Sequence, residues 1–423
     1  MAMSRKVFIS FLGVSDYTEC VYTYGSYRSR IVMFVQSALT EMVCADWTKD
    51  DKILVFLTNE AEEKNWPKLK QEWRIDTSIT QGVPISLGKD EAEIWRIFQI
   101  IYDSLEESDK LFVDITHSFR SLPLLASSLL QYAKFLKNIT VHGIYYGAFE
   151  TLGNPRDIQV RTPNPNERIV PVFDLTAFSE IQDWSIAAND FIRFGNTTRL
   201  SQLTKADINP ILRETKGKHK VAASLWNLNN CIDELSMNIR TNRGKELIKG
   251  KAPAKIITIL NSLEQDLIKP LNPILAELKH SINDIYAGEN ETKNMLLAVN
   301  WCIEKQLIQE GFTILQEGII SFLLDDYHNK DKREFVSGFL NTFAFGVFDK
   351  TRYNKLNYQM CADLEDDLKR IPNIGKWSVV FQKITDYRND INHAGMKSQT
   401  SSANYFEVAL KELYHQTKLL LPC

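Results

Sequence analysis

The sequence has no apolar run of the roughly 18 residues that a membrane-spanning helix needs, which argues against a transmembrane segment. Its six cysteines, at 20, 44, 231, 302, 361 and 423, are scattered and form no C-x-x-C pair. Structural zinc and a disulfide framework are therefore not expected, and the cytoplasm fits best. An excess of one charge is missing too. The 50 Lys and Arg against 53 Asp and Glu leave −3, which excludes a generally basic nucleic-acid coat but not a local basic site. No G-x-G-x-x-G occurs, which disfavours a dinucleotide cofactor, and no G-x-x-x-x-G-K-[ST], which excludes a P-loop NTPase. There is no internal repeat and no low-complexity tract. The start, MAMSRKVFISFLGV, reads as a first strand rather than a signal peptide: Ser10 interrupts the apolar stretch and polar residues Tyr17 to Glu19 follow.

What is present is a soluble globular composition, 44% hydrophobic and 24% charged over 423 residues, enough for two or three domains. The first 180 residues alternate strand and helix patterns. KVFISFLG (6–13), KILVFLT (52–58), KLFVDIT (110–116), TVHGIYYGAF (140–149) and IVPVFDLT (169–176) read as strands, and ECVYTYGSYRSRI (19–31) as a hairpin about Gly25-Ser26. VMFVQSALTEMV (32–43), EAEIWRIFQIIYDSL (91–105) and LPLLASSLLQYAKFL (122–136) read as helices. The alternation predicts a mostly parallel sheet in a three-layer α/β domain over 1–180. Beyond Thr176 the strand pattern stops, and the spacing predicts a helical middle (181–290) and a helical C-terminal domain (291–423). Three strong helices fall in the latter: TKNMLLAVNWCIEKQLIQEGFTILQEGIISFLL, IGKWSVVFQKITDYRNDINH and NYFEVALKELYHQTKLLL. The basic, breaker-rich KELIKGKAPAK (245–255) reads as a solvated loop, with RNA contact as the alternative.

Two constellations carry chemistry. DITHSFRSLP (114–123) joins a buried strand to a helix through hydroxyls, a histidine and an arginine. In open α/β sheets ligands bind beyond the C-terminal strand ends, and the following helix N-terminus offers free N–H groups. Thr116, Ser118, Ser121 and Arg120 would suit a phosphate, and Gly13, ending the first strand, would let backbone approach the same crevice. The plainer alternative has Thr116 and Ser118 capping the helix. Asp114, inside an apolar strand, reads as structural. The second constellation is Arg388-Asn389-Asp390-Ile391-Asn392-His393, an R-x-x-x-x-H. Asn389 and His393 share a helical face. Arg388 and His393 converge only where the helix ends, for which Gly395 is the expected C′ residue. The plainer alternative is a histidine stabilised by a helix C-terminus. Such residues suit RNA cleavage: a histidine moves protons between the 2′-hydroxyl and the 5′-oxygen, an arginine stabilises the phosphorane, and an asparagine orients either.

Taken together, VFISFLGVSDYTECVYTYG, DITHSFRSLP, RNDINH and QLIQEGFTILQE resemble the type III CRISPR-associated ribonucleases that pair an N-terminal CARF domain with a C-terminal HEPN domain. The resemblance implies a Rossmann-like CARF domain over 1–180 and a HEPN domain within 291–423, with nothing to match at 181–290. It implies a metal-independent single-stranded endoribonuclease of antiviral defence, switched on by a cyclic oligoadenylate and leaving 2′,3′-cyclic phosphates. Gly13, Thr116, His117, Ser118 and Arg120 would line the messenger site; Arg388, Asn389 and His393 would form the ribonuclease site. No metal and no cofactor are expected. One R-x-x-x-x-H per chain implies a two-fold dimer, alone or in larger assemblies, and such a dimer suits a ring of four or six adenylates, four being the expectation. Three rivals remain open: a sensor that binds without cutting, a CARF domain that also cleaves its messenger with help from His117, and an unrelated small-molecule α/β enzyme.

Overall fold

The computed structural model describes residues 4–117, 122–263, 272–324, 328–348, 358–396 and 400–421. The chain forms two compact units, Met1–Gln182 and Asp183–Cys423.

The first unit holds strands β1 (Lys6–Leu12), β2 (Val21–Tyr24), β3 (Tyr27–Arg28), β4 (Lys52–Leu57), β5 (Thr80–Pro84), β6 (Lys110–Asp114), β7 (Thr140–Gly147) and β8 (Ile169–Asp174). Its helices are α1 (Val35–Val43), α2 (Asn59–Lys64), α3 (Trp66–Glu72), α4 (Glu91–Asp103), α5 (Leu122–Lys137) and α6 (Pro155–Arg161), with α7 (Thr176–Phe194) leading out. The strands form one sheet in the order β3-β2-β8-β7-β6-β1-β4-β5. Parallel pairing joins β5, β4, β1, β6 and β7, while β7 with β8 and β2 with β3 run antiparallel. In the parallel centre both faces are covered, so these strands are apolar on both sides. Val7, Ile9 and Phe11 of β1 join Leu54 and Phe56 of β4 in a core closed by Ile97 and Ile101 of α4 and Leu129 and Ala133 of α5. Phe8 and Leu12 join Ile53 and Val55 in a second core closed by Val35, Ala38 and Leu69 from α1 and α3. The result is the expected α/β sandwich with its hairpin. β1 has β4 on one side and β6 on the other, so the chain order reverses there. The C-terminal ends of β1 and β6 frame the switch-point crevice.

The second unit is helical among its described residues: α8 (Thr198–Glu214), α9 (Lys220–Arg240), α10 (Gly244–Lys249), α11 (Lys251–Ser262), α12 (Asn272–Asn283), α13 (Glu291–Glu304), α14 (Ile308–Phe322), α15 (Lys330–Thr342), α16 (Tyr358–Arg370), α17 (Ile374–Asn392) and α18 (Tyr405–Leu420). A single core runs through Phe191, Ile232, Ile256, Trp301, Phe312, Phe339, Trp377 and Leu410. The helices before and after residue 291 thus bury against each other.

Three local expectations need correction. The 245–255 stretch is not a loop but α10 and α11, meeting at Gly250 in the left-handed region (φ 62°). Pro253 sits in the first turn of α11, where a missing N–H costs no helical bond, and Leu247, Ile248, Ala252 and Ile256 are buried. The long TKNMLL…SFLL run is two helices. Gln306 adopts φ 59°, and Leu307 N–H returns to the Cys302 carbonyl at 2.8 Å, closing α13 before α14 starts. At the end of α17 the left-handed residue is Ala394 (φ 53°) first and Gly395 (φ 69°) second. Gly395 N–H bonds the Asp390 carbonyl at 3.1 Å and Ala394 N–H that of Ile391 at 3.0 Å, a Schellman closure with His393 as the C-cap.

Candidate functional site

At the switch point a cleft of about 310 Å³ is lined by residues that include Asp16, Tyr17, Thr116, His117, Tyr146 and Glu150. The ends of β1 and β6 are fixed beneath it by Asp114. This residue is fully buried and accepts from Ser10 Oγ (2.7 Å) and Thr116 N–H (2.9 Å). Burial raises its pKa, against the hydrogen bonds from Thr116 and Ser10. Thr116 Oγ1 in turn accepts the Gly147 N–H at 2.8 Å, tying the turn to β7. Gly13 does not line the cleft: its N–H donates to the Tyr17 hydroxyl at 3.0 Å, and a Cβ there would sit 2.9 Å from that oxygen. Its lack of a side chain therefore seats Tyr17. The Tyr17 ring lies 4.6 Å from that of His117, centroid to centroid. Burial pushes the Tyr17 hydroxyl up to about 12 and the His117 imidazole down to about 4. His117 is accordingly neutral near pH 7, and its Nε2 is buried with no hydrogen-bond partner among the described residues.

Ser118, Ser121 and Arg120 lie outside the described residues, as does the expected phosphate cradle they would complete. Among the described lining residues the charged groups are Asp16 and Glu150; Asp16 is paired with Lys64 at 2.7 Å. With Tyr17, Tyr22, Tyr146 and Phe149 beside them, this part of the cleft suits hydroxyls and aromatic faces better than phosphates. Tyr17, Tyr146 and Glu150 were not read from the sequence; only the quoted VSDYTEC hinted at the first.

The second unit has an open cleft of about 710 Å³. Its floor is one face of α14. From 311 to 321 every residue is buried except Thr313, Glu317 and Ser321, which with Gln309 recur every fourth position and line the cleft. Small residues bring α14 close to its neighbours: a Cβ at Gly318 would meet Met295, and one at Gly311 would lie 2.6 Å from Leu410 Cδ2. One wall is α17, which presents Arg388 and Asn392, four apart. The two helices are joined by Gln316 Nε2 donating to Thr385 Oγ1 (2.6 Å) and Gln309 Nε2 to Asn392 Oδ1 (3.1 Å). Another wall is Arg333 of α15, held by Glu317 (2.5 Å) and Ser321 Oγ (2.9 Å). The rim is the α9–α10 turn with Arg243 and Lys245. Arg388 Nε is buried yet has no hydrogen-bond partner among the described residues.

Of the three residues expected here, Arg388 lines the cleft; Asn389 is half-buried and His393 is exposed at the C-cap, and neither is among the lining residues. The face of α17 turned to the cleft carries Arg388 and Asn392, about 100° from that of Asn389 and His393. Asn392 was missed; an i, i+4 pairing with Arg388 would have found it. Among the described residues no group of three or more His, Cys, Asp or Glu side chains is placed to hold a metal ion.

Residues 7–150 match the CARF domain of the CRISPR system endoribonuclease Csx1. The first unit is a CARF domain of a CRISPR-associated protein. Residues 180–291 match the second domain of the CRISPR-associated protein MJ1674. That protein, from Methanocaldococcus jannaschii, is 24% identical over 346 residues, 74% of this chain and 50% of its own length. The chain thus spans about half the length of the curated relative it matches. The first match ends at residue 150 and the second at 291, before α17, which carries Arg388. The CARF cleft at Thr116 and His117 falls inside the first match, and the α9–α10 turn with Arg243 and Lys245 inside the second.

Proposed function

We propose that the protein is a metal-independent, single-stranded endoribonuclease of type III CRISPR defence, activated by a cyclic oligoadenylate bound to its CARF domain. One observation carries the reading. A guanidinium whose Nε is buried without a partner among the described residues faces an open polar cleft built on α14 and α17. An uncompensated buried donor is costly and is retained where a ligand completes it. In this reading Arg388 bonds the scissile phosphate and stabilises the charge that develops as the 2′-oxygen attacks phosphorus. His393, at the helix end five residues on, moves the proton, and Asn389 and Asn392 orient the groups. The helices from 291 onward act as a HEPN domain. The ribonuclease site is completed by a second copy, so the working form is a homodimer or an assembly of dimers in the cytoplasm. The ring has four adenylates, held by Thr116, His117, Ser118 and Arg120 with adenines against Tyr17 and Tyr146; Gly13 acts by seating Tyr17.

The test is cleavage of a dye–quencher single-stranded RNA with cyclic tetra- or hexa-adenylate, in EDTA. One ring should switch cleavage on, and Arg388→Ala or His393→Ala should abolish it without removing messenger binding. Cleavage at full rate with no ring, or none with either, would overturn the scheme. A second activity is favoured by His117: a neutral imidazole in the messenger cleft, its buried Nε2 without a hydrogen-bond partner among the described residues, could take a 2′-hydroxyl proton and let the CARF domain cut its own activator. Chromatography of the ring after incubation with wild type and His117→Ala decides that point.

A further inference from the structure

The α9–α10 turn belongs to the 181–290 region, to which the ribonuclease reading gives no task; RNA contact at 245–255 stood only as an alternative to a solvated loop. Its geometry is specific. Asn242, left-handed at φ 55°, ends α9, and Arg243 N–H returns to the Asn238 carbonyl at 2.7 Å. α10 then begins at Gly244, with Leu247 and Ile248 buried. The turn is therefore pinned by core residues while Arg243 and Lys245 stay exposed on the rim of the Arg388 cleft. Among the described lining residues the cations are Arg243, Lys245, Arg333 and Arg388 and the carboxylates Glu246 and Glu317, and Glu317 already holds Arg333. The balance is positive in a protein whose net charge is −3. Two polar atoms in this cleft are buried and have no hydrogen-bond partner among the described residues: Arg388 Nε on α17 and Asn242 Oδ1 at the turn. Donor and acceptor thus await a ligand on two different elements, and the α14 stripe from Gln309 to Ser321, twelve residues or about 18 Å, runs through the same cleft.

We infer that the α9–α10 turn is the substrate clamp of this cleft: Arg243 and Lys245 bind backbone phosphates of the single-stranded RNA flanking the bond at Arg388, and Asn242 Oδ1 accepts from a ribose hydroxyl or base amine. This deepens the ribonuclease reading and rests on it for the position of the scissile bond. It makes the region that matches the second domain of MJ1674 part of the RNA site. Phosphate contacts position a strand without reading its sequence, so Arg243 and Lys245 set affinity and register rather than base preference.

The experiment is equilibrium binding of a fluorescein-labelled, fully 2′-O-methylated single-stranded RNA, which binds but cannot be cut, at several salt concentrations, with and without cyclic tetra- and hexa-adenylate. Each phosphate contact on a single strand contributes about 0.7 to the slope of log affinity against log salt. Arg243→Ala/Lys245→Ala should therefore flatten the slope by about 1.4, and its deficit should shrink about sevenfold between about 50 and 200 mM salt. Arg243→Lys/Lys245→Arg should keep the slope. Lys251→Ala, an exposed lysine that does not line the cleft, should match wild type and rules out a general charge effect. A wild-type slope in the double alanine variant, or no RNA binding by wild type, overturns the clamp. Because the readout is binding, it is independent of cleavage. An altered slope in a protein that cuts no RNA would leave the clamp standing and remove the ribonuclease reading. An unaltered slope in a protein that needs Arg388 to cut would do the reverse.

Discussion

Replacing Arg388 by methionine should make the second unit more stable and the protein inactive. Methionine keeps an aliphatic stem of similar reach and removes a guanidinium whose Nε is buried without a partner among the described residues. A buried, unsatisfied donor costs about 1–3 kcal/mol. Part of that is returned by the substitution, about 1 kcal/mol, and for a unit of 150–250 residues this raises Tm by roughly 2–4 °C. The second unit, Asp183–Cys423, is of that size. On the proposed ribonuclease reading, catalysis moves the other way. Losing one donor aimed at the developing oxyanion costs about 10²–10³ in rate. The assays are scanning calorimetry without messenger and RNA cleavage at saturating messenger. A Tm lower by about 5 °C or more would mean that the guanidinium holds the fold together. Cleavage within a few-fold of wild type would take Arg388 out of the reaction. Either result refutes the argument that this side chain is kept unsatisfied for a ligand.

His117 gives a pH prediction. Its folded pKa of about 4 lies below the usual 6.5, so the unfolded chain binds more protons between these values. Stability from this group is present above pH 6.5 and is lost as pH falls toward 4, by an amount on the order of 3 kcal/mol. His117→Gln should lose that acid sensitivity, and identical wild-type and variant pH profiles of Tm would contradict it. Asp114→Ala should cost about 1–3 kcal/mol by leaving the buried Ser10 hydroxyl and Thr116 N–H unanswered. Asp114→Asn, which can still accept from Thr116, should cost less in chemical denaturation, and the reverse order would count against these contacts. Light scattering should show a dimer, and a strictly monomeric form with full ribonuclease activity would remove the composite site.

The sequence by itself determined the layers. Apolar runs with no exposed face, such as KVFISFL and KILVFL, can only be central strands, and the helical spacing of EAEIWRIFQIIYD can only cover them. That is local information, carried by period and burial, and the α/β unit followed by helices was legible from it. The edge strand Thr80–Pro84 was not legible, because TQGVP has neither length nor alternation; pairing with β4 makes it a strand. The 245–255 stretch misled for a related reason. Lysine, glycine and proline signal a loop locally, while the burial of Leu247, Ile248 and Ile256 against distant helices makes it helical. The R-x-x-x-x-H was visible as a string, and the polar positions 309, 313, 317 and 321 stand in an apolar helix for any reader counting by fours. Only the tertiary structure decided that the Arg388–Asn392 side of α17, and not the Asn389–His393 side, meets that stripe. It alone brought Arg243 and Lys245, some 145 residues earlier in the chain, to the same cleft. Side-chain period is a property of one helix, whereas a site between helices depends on how their cores pack, and that is written in contacts too far apart for any window of sequence to hold.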